Sequence, residues 1–357
     1  MTVRLAVVDD SSFVRKAIER VFSADSRIQV VGSASSGEEL LTQLDNWRPD
    51  VITLDLSMPG MGGLLTLDRI MAVRPTPVLI LSTHAGEGAP QTIEALHRGA
   101  ADFIDKQRYS LLDFDSLREV LAQKVLAVTT NEKALSEPPP QHKPVPREAP
   151  DTDADKGRHF EVLLLGASTG GPPAIEFVLS ALGSDCPLPV LIVQHMPGGF
   201  TTAFAQRLNT HLGLEVREAE HRAPLRPGTV VIAPAGKHLK IRRGPDGLVT
   251  ILSSRPSTVA HRPSIDELFA SAVTTTGAST LAVLMTGMGR DGAATLRDLR
   301  VAGAHTIAQD EATSVVWGMP GVAVDLNAAV EVLPLPRIAS RLQQLLAEQA
   351  GYQSPSN

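Results

Sequence analysis

Short apolar runs of strand length alternate with stretches of helical period along most of this chain. In the first third the runs are Leu5 to Val8, Gln29 to Gly32, Val51 to Leu56, Val78 to Leu81 and Asp102 to Ile104. Between them the apolar positions fall on one helical face: Val14, Ile18, Val21 and Phe22 form one stripe, and Leu40, Leu41 and Leu44 another. Near-continuous apolar strands separated by amphipathic helices predict a parallel sheet covered on both faces. The alternation stops between about Ala127 and Gly157, where the run Glu137-Pro138-Pro139-Pro140-Gln141-His142-Lys143-Pro144-Val145-Pro146 reads as a proline-stiffened tether. It resumes with Val162 to Leu165, Val190 to Val193, Val230 to Ala233, Leu281 to Met285 and Thr306 to Ala308. His238 to Arg242 and Leu248 to Leu252, around Gly244-Pro245-Asp246-Gly247, read as a β-hairpin. The pattern predicts two α/β domains, over 1–125 and 158–349, joined by a linker over 126–157 and followed by a tail over 350–357.

Composition narrows this picture. The chain has 357 residues, 43% of them hydrophobic, enough for two separate cores. The net charge of -6 leaves no basic excess to neutralise phosphates, which argues against nucleic acid as a partner. Cys186 is the single cysteine, so no intramolecular disulfide is possible and a reducing compartment is expected. Met1 to Asp10 runs from a short apolar strand into acids without the basic n-region of a signal peptide. No stretch approaches the ~20 apolar residues that cross a bilayer. The expectation is a cytoplasmic protein without membrane insertion, monomeric.

Ligands of open parallel sheets lie beyond the carboxyl ends of the strands, so residues that end successive strands converge. In the first half these are Asp9 and Asp10 after the first strand, Asp55 at the end of the third, Ser82 and Thr83 after the fourth, and Lys106 after the fifth. Three converging carboxylates repel unless a hard cation neutralises them, and Mg²⁺ takes oxygen ligands with phosphate completing its sphere. A phosphoryl donor held there would permit attack by Asp55 to form an aspartyl phosphate, with Lys106 and a hydroxyl of Ser82 or Thr83 contacting the transferred group. The plainer alternative makes Asp9 and Asp10 caps of a helix starting near Ser12 and Asp55 a solvated loop acid.

In the second half, the strand Val162 to Leu165 runs into Gly166-Ala167-Ser168-Thr169-Gly170-Gly171, and Pro172-Pro173 opens a helix through Leu182. Gly-x-Ser-x-Gly between strand and helix is the pattern of a nucleophile elbow, with backbone N–H groups of the helix start available to an oxyanion. The alternative, a glycine turn around a dinucleotide phosphate, is weakened because Ser168 stands where the middle glycine would be needed. His195 follows the next strand and is the candidate base, and Asp291 follows a later one and is the candidate orienting carboxylate. Asp291 has a second reading, as N-cap of a helix from Ala293 to Leu299. The order Ser, His, Asp departs from the Ser, Asp, His order of α/β-hydrolases.

The first set of residues resembles the bacterial response-regulator receiver domain, a flavodoxin-like fold with a five-stranded parallel sheet. That resemblance implies Mg²⁺ at Asp9, Asp10 and Asp55, phosphorylation of Asp55 by a chemotaxis histidine kinase, Ser82 as switch hydroxyl and Phe103 as switching aromatic, with Lys106 beside the phosphoryl group. Two positions depart from the family: Lys106-Gln107 stands where Lys-Pro is usual, which bears on phosphoryl lifetime, and the segment Met58-Pro59-Gly60-Met61-Gly62-Gly63 lacks an acid before its glycine. The second half resembles the catalytic domain of chemotaxis protein-glutamate methylesterases, a larger doubly wound α/β domain with a β-hairpin. The likeness rests on Gly166 to Gly171, Gln194-His195-Met196-Pro197, Ile232-Ala233-Pro234-Ala235-Gly236-Lys237-His238, His261-Arg262-Pro263-Ser264-Ile265-Asp266, the turn Met288 to Asp291 and Ile307 to Thr313. It implies Ser168 as nucleophile, His195 as general base and acid, Asp291 as orienter, and the backbone amides of Thr169 and Met288 as oxyanion donors. The implied substrates are methylated chemotaxis receptors, whose glutamate methyl esters are hydrolysed and some of whose glutamines are deamidated, without a cofactor for the ester chemistry. The implied setting is recruitment to receptor arrays, with phosphorylation relieving a receiver that covers the Ser168 site.

Overall fold

The computed structural model describes residues 2–82, 89–106, 114–129, 158–183, 186–256 and 259–352. The chain divides into two compact units, Met1–Pro138 and Pro139–Asn357.

In the first unit the strands are β1 (Val3–Val8), β2 (Ile28–Ala34), β3 (Val51–Asp55), β4 (Val78–Ser82) and β5 (Asp102–Asp105). The helices are α1 (Ser12–Phe22), α2 (Gly37–Trp47), α3 (Gly62–Val73), α4 (Ala89–His97) and α5 (Phe114–Thr129). The strands form one parallel sheet in the order β2-β1-β3-β4-β5. Each predicted strand is present. β3 and β4 are buried at every position because helices cover both faces, which is why their sequences are runs rather than alternations. The stripe on α1 buries Ile18, Val21 and Phe22 against the sheet, and α2 buries Leu40 and Leu44. The chain reverses from β2 on one side of β1 to β3 on the other, so the carboxyl ends of β1 and β3 flank a switch point.

In the second unit β6 (Val162–Ala167), α6 (Gly171–Leu182), β7 (Val190–Gln194), α7 (Phe200–Leu212), β8 (Glu215–Glu218) and β9 (Thr229–Ile232) are followed by the antiparallel hairpin β10 (His238–Gly244) and β11 (Gly247–Ser253). Then come α8 (Ile265–Thr275), β12 (Thr280–Leu284), α9 (Ala293–Val301), β13 (His305–Gln309), α10 (Met319–Asp325), β14 (Glu331–Leu333) and α11 (Leu335–Tyr352). Seven parallel strands lie in the order β14-β13-β12-β6-β7-β9-β8. Two of them, β8 and β14, were not expected from the sequence. Both are edge strands with charged, half-exposed positions, so neither carries the apolar run that marks a central strand. The core under the sheet includes Leu164, Leu191, Val231, Ile265, Phe269 and Leu296. The order switches at β6, with β7 on one side and β12 on the other, and the segments that follow these three strands meet at one edge.

Candidate active site

Ser168 is the first residue beyond β6, in a turn that closes by the Gly171 amide donating to the Ser168 carbonyl at 2.8 Å. Gly170 takes φ +77°, where a side chain would also meet Val315 at 2.6 Å, and Gly171 has no room for a Cβ because Gln194 Oε1 stands at 1.9 Å from its position. Those two glycines let the chain turn sharply into α6. The Ser168 amide donates to the Thr286 carbonyl at 3.0 Å, which ties the serine to the turn after β12. There Gly287 packs directly on the serine: a Cβ on it would lie 2.7 Å from Ser168 Cβ. Thr286 is itself fixed. Its amide donates to Gln309 Oε1 at 2.9 Å and its hydroxyl to the Thr169 carbonyl at 2.9 Å. Met288 follows on that turn, half-buried, and among the described residues no acceptor takes its amide hydrogen.

His195 is held beside Ser168 by its amide, which donates to the Ala167 carbonyl at 3.1 Å. The side chain of Gln194 bridges the two residues: its Nε2 donates to the carbonyl of Ser168 at 2.8 Å and to that of His195 at 3.1 Å. His195 Nε2 lies 2.8 Å from Asp291 Oδ2. Its Nδ1 is buried and has no hydrogen-bond partner among the described residues.

Asp291 does not cap the helix that follows it. The N-cap of α9 is Gly292, which has no side chain to cap with, and the Asp291 carboxylate turns instead to the start of α8. Asp291 Oδ2 accepts from the Ile265 amide at 2.7 Å, and Oδ1 accepts from the Ser264 hydroxyl at 2.8 Å and the Asp266 amide at 3.1 Å. Burial alone would raise the pKa of this carboxyl, but the hydrogen bond and charge of His195 and the α8 amides outweigh it and hold the group well below the usual carboxylate range. An ionised Asp291 fixes the proton of His195 on Nε2 and leaves Nδ1 as the basic nitrogen.

In the first unit, Asp9, Asp10 and Asp55 place one oxygen each within 4.8 Å of one another, Asp9 and Asp55 buried and Asp10 exposed. Lys106 Nζ lies 2.6 Å from Asp9 Oδ2 and 2.9 Å from Asp55 Oδ2. One ammonium against three carboxylates leaves negative charge in a largely buried place. Burial, with Asp55 adding to it, raises the pKa of Asp9 in spite of Lys106. An all-oxygen set with one exposed face and excess negative charge fits a hard divalent cation. The capping alternative does not hold, because Ser11 caps α1 through its hydroxyl and Asp9 Oδ1 only accepts from the Ser11 amide at 2.9 Å. Ser82 is buried, its hydroxyl accepting from Thr92 Oγ1 at 2.9 Å, and Phe103 is buried on the neighbouring strand. Thr83 and Gln107 lie outside the described residues.

The partners of Asp291 at the start of α8, the Gln194 bridge and the Thr286–Gln309 brace were not foreseen as parts of the site. Only Gln194 and Gln309 left a signal, each an amide side chain ending an apolar strand where a buried polar group needs a purpose.

The fold and this site define a class: an acidic-pocket α/β regulatory domain on the same chain as a parallel α/β domain with a serine, a histidine and an aspartate at its switch point. Residues 5–119 match the response regulator receiver domain family and residues 163–342 the CheB methylesterase family. The chain is 43% identical over 360 residues to protein-glutamate methylesterase/protein-glutamine glutaminase 1 of Anaeromyxobacter dehalogenans, covering 95% of this chain and 98% of that one. It is 41% identical to the protein-glutamate methylesterase/protein-glutamine glutaminase of Geobacillus kaustophilus, covering 97% and 99%. The crystal structure of the Thermotoga maritima CheB methylesterase catalytic domain superposes with a TM-score of 0.51 at 34% identity, covering 52% of this chain and 98% of that one. This chain belongs to the family of receiver-linked protein-glutamate methylesterases/protein-glutamine glutaminases. Among the described residues no helix is long and apolar enough to cross a membrane.

Proposed function

We propose that the second unit hydrolyses glutamate γ-methyl esters of chemotaxis receptors, and deamidates selected receptor glutamines, through Ser168, His195 and Asp291. The observation that supports it most is the 2.8 Å link of His195 Nε2 to an ionised Asp291, with Nδ1 left unpartnered on the residue bonded to the base of the serine turn. Ser168 Oγ attacks the ester carbonyl carbon while its proton passes to His195 Nδ1. The oxyanion of the tetrahedral intermediate accepts from the backbone amides of Thr169 and Met288. Collapse expels the methoxy group, which takes the proton from Nδ1 and leaves as methanol. Water then attacks the γ-glutamyl ester of Ser168, gives a proton to Nδ1, and the serine leaves with it. For a glutamine the same path releases ammonia in the first step. Labelling by a serine-directed phosphonate tests the assignment: modification at Ser168 that disappears in Ser168→Ala supports it, and labelling elsewhere with Ser168 untouched defeats it.

The first unit is assigned phosphorylation at Asp55 from a chemotaxis histidine kinase. Asp9, Asp10 and Asp55 would hold Mg²⁺, which when bound neutralises their charge beside the incoming phosphoryl group. Lys106, Ser82 and Phe103 would respond to the new group. The tether keeps this unit at high effective concentration near the esterase, so a modest difference in affinity between its two states regulates turnover. A fragment beginning at Gly157 should then exceed the full chain in basal activity, and a phosphodonor with Mg²⁺ should activate only the full chain. Equal basal rates without a donor response would show that the first unit does not inhibit the esterase and would limit it to localisation.

A further inference from the structure

The ring of His261 lies flat on the ring of His195, with centroids 4.1 Å apart and planes inclined by 14°. His261 is an exposed residue, whereas the His195 side chain is only 8% exposed, so the contact closes one face of a buried imidazole with a ring that water reaches from the other side. We infer that His261 is a positioning residue that sets the plane of His195 and shields its imidazolium during acyl transfer. This rests on the reading of Ser168 and His195 given above.

The geometry of His195 creates the need. Its ring is anchored at Cβ and at Nε2, where Asp291 Oδ2 lies 2.8 Å away. Rotation about the line joining those two points leaves both anchors in place yet swings Nδ1, and Nδ1 has no partner to resist the motion. A flat ring at stacking distance blocks that rocking on its side. Nδ1 also gains its proton only when Ser168 attacks, so the ring becomes cationic in the transition state and not before. A facing aromatic ring favours the charged form over the neutral one, a contribution that lowers the barrier without tightening substrate binding.

The segment that carries His261 is also the segment that orients Asp291. Ser264, Ile265 and Asp266 give the carboxylate its hydroxyl and its two amides, and the Arg262 carbonyl accepts from the Gly236 amide at 3.0 Å. Six consecutive residues therefore fix the edge of the His195 ring through Asp291 and its face through His261.

The test uses the full-length protein with p-nitrophenyl acetate, an activated ester that reads Ser168 chemistry without requiring a receptor, and compares His261→Ala, His261→Leu and His261→Phe. Ala and Leu should lower kcat by about threefold to tenfold, the span that one aromatic stack can supply, with KM within about twofold. Phe, which keeps a flat ring, should restore most of the loss. Phosphonate labelling of Ser168 should slow in the same rank order, with unchanged melting temperatures. Wild-type kcat in His261→Ala, a Phe variant as slow as Leu, or an effect confined to KM would each overturn the inference. If the wild-type protein does not label at Ser168, the failure lies in the triad reading; if it labels and the Ala variant labels equally fast, it lies in the role of His261.

Discussion

Replacing Gly287 with alanine tests how tightly the turn after β12 (Thr280–Leu284) registers the serine. The added Cβ would stand 2.7 Å from Ser168 Cβ, 3.0 Å from the Ser168 amide nitrogen and 2.4 Å from Met319 Cε. Met319 can swing its terminal methyl aside. Ser168 cannot do so without moving its backbone, and Gly287 cannot retreat, because its amide donates to the Val316 carbonyl at 2.9 Å and its carbonyl accepts from the Met319 amide at 2.8 Å. Carbon atoms settle at roughly 3.5–4.0 Å, so the serine must shift by about 1 Å. A displacement of that size between nucleophile and base costs on the order of 10²-fold in turnover. Overpacking of this kind costs about 1–3 kcal/mol in stability. The assay is kcat for ester hydrolysis together with the melting temperature and the rate of phosphonate labelling at Ser168. Turnover within threefold of wild type in a protein of unchanged stability would show that the serine position is not set by this contact.

Gln194→Leu removes the donor to the half-buried carbonyls of Ser168 and His195 and should cost about 1–3 kcal/mol in chemical denaturation, with labelling of Ser168 slowed as well; unchanged stability would count against the bridge. Asp291 is held below its ordinary pKa in the folded chain, where hydrogen bonds and the charge of His195 outweigh its burial. The stabilisation it contributes is complete above the ordinary carboxylate range and is lost as pH falls through that range and below. The gap in melting temperature between wild type and Asp291→Asn should therefore narrow from about pH 7 to about pH 3, and a constant gap would refute the charge assignment. Asp9 is the opposite case, a buried acid whose ionisation works against folding, so Mg²⁺ should raise the melting temperature of the first unit and EDTA reverse it. Asp9→Asn should stabilise the metal-free protein and abolish that increment, and an undiminished Mg²⁺ response in the variant would place the cation elsewhere.

What the sequence reveals here follows from burial. Strands covered on both faces, such as Val51–Asp55 and Val190–Gln194, are legible because nearly all their positions are apolar and each ends in a polar residue of the site. Glu215–Glu218 and Glu331–Leu333 are not, because an edge strand is held by its neighbour's backbone and needs no apolar run. The same logic divides the site. Ser168, His195 and the acids Asp9 and Asp55 end strands of parallel sheets, and topology alone brings them together. The surroundings of Asp291 come from Ser264, Ile265 and Asp266, more than twenty residues earlier in the chain, and no local pattern predicts that meeting. The reading of Asp291 as N-cap of the helix that follows it fails for the same reason: its carboxylate accepts from the first amides of α8 (Ile265–Thr275), a helix far earlier in the chain, and Gly292 occupies the cap position of α9.

Release of methanol from methyl-labelled chemotaxis receptor tests the central claim most directly. The full chain should release it, faster with a small phosphodonor and Mg²⁺, and Ser168→Ala should lower the rate by on the order of 10³-fold or more, because nucleophile and base act as a unit. Methanol release at near wild-type rate by a folded Ser168→Ala protein would contradict the account.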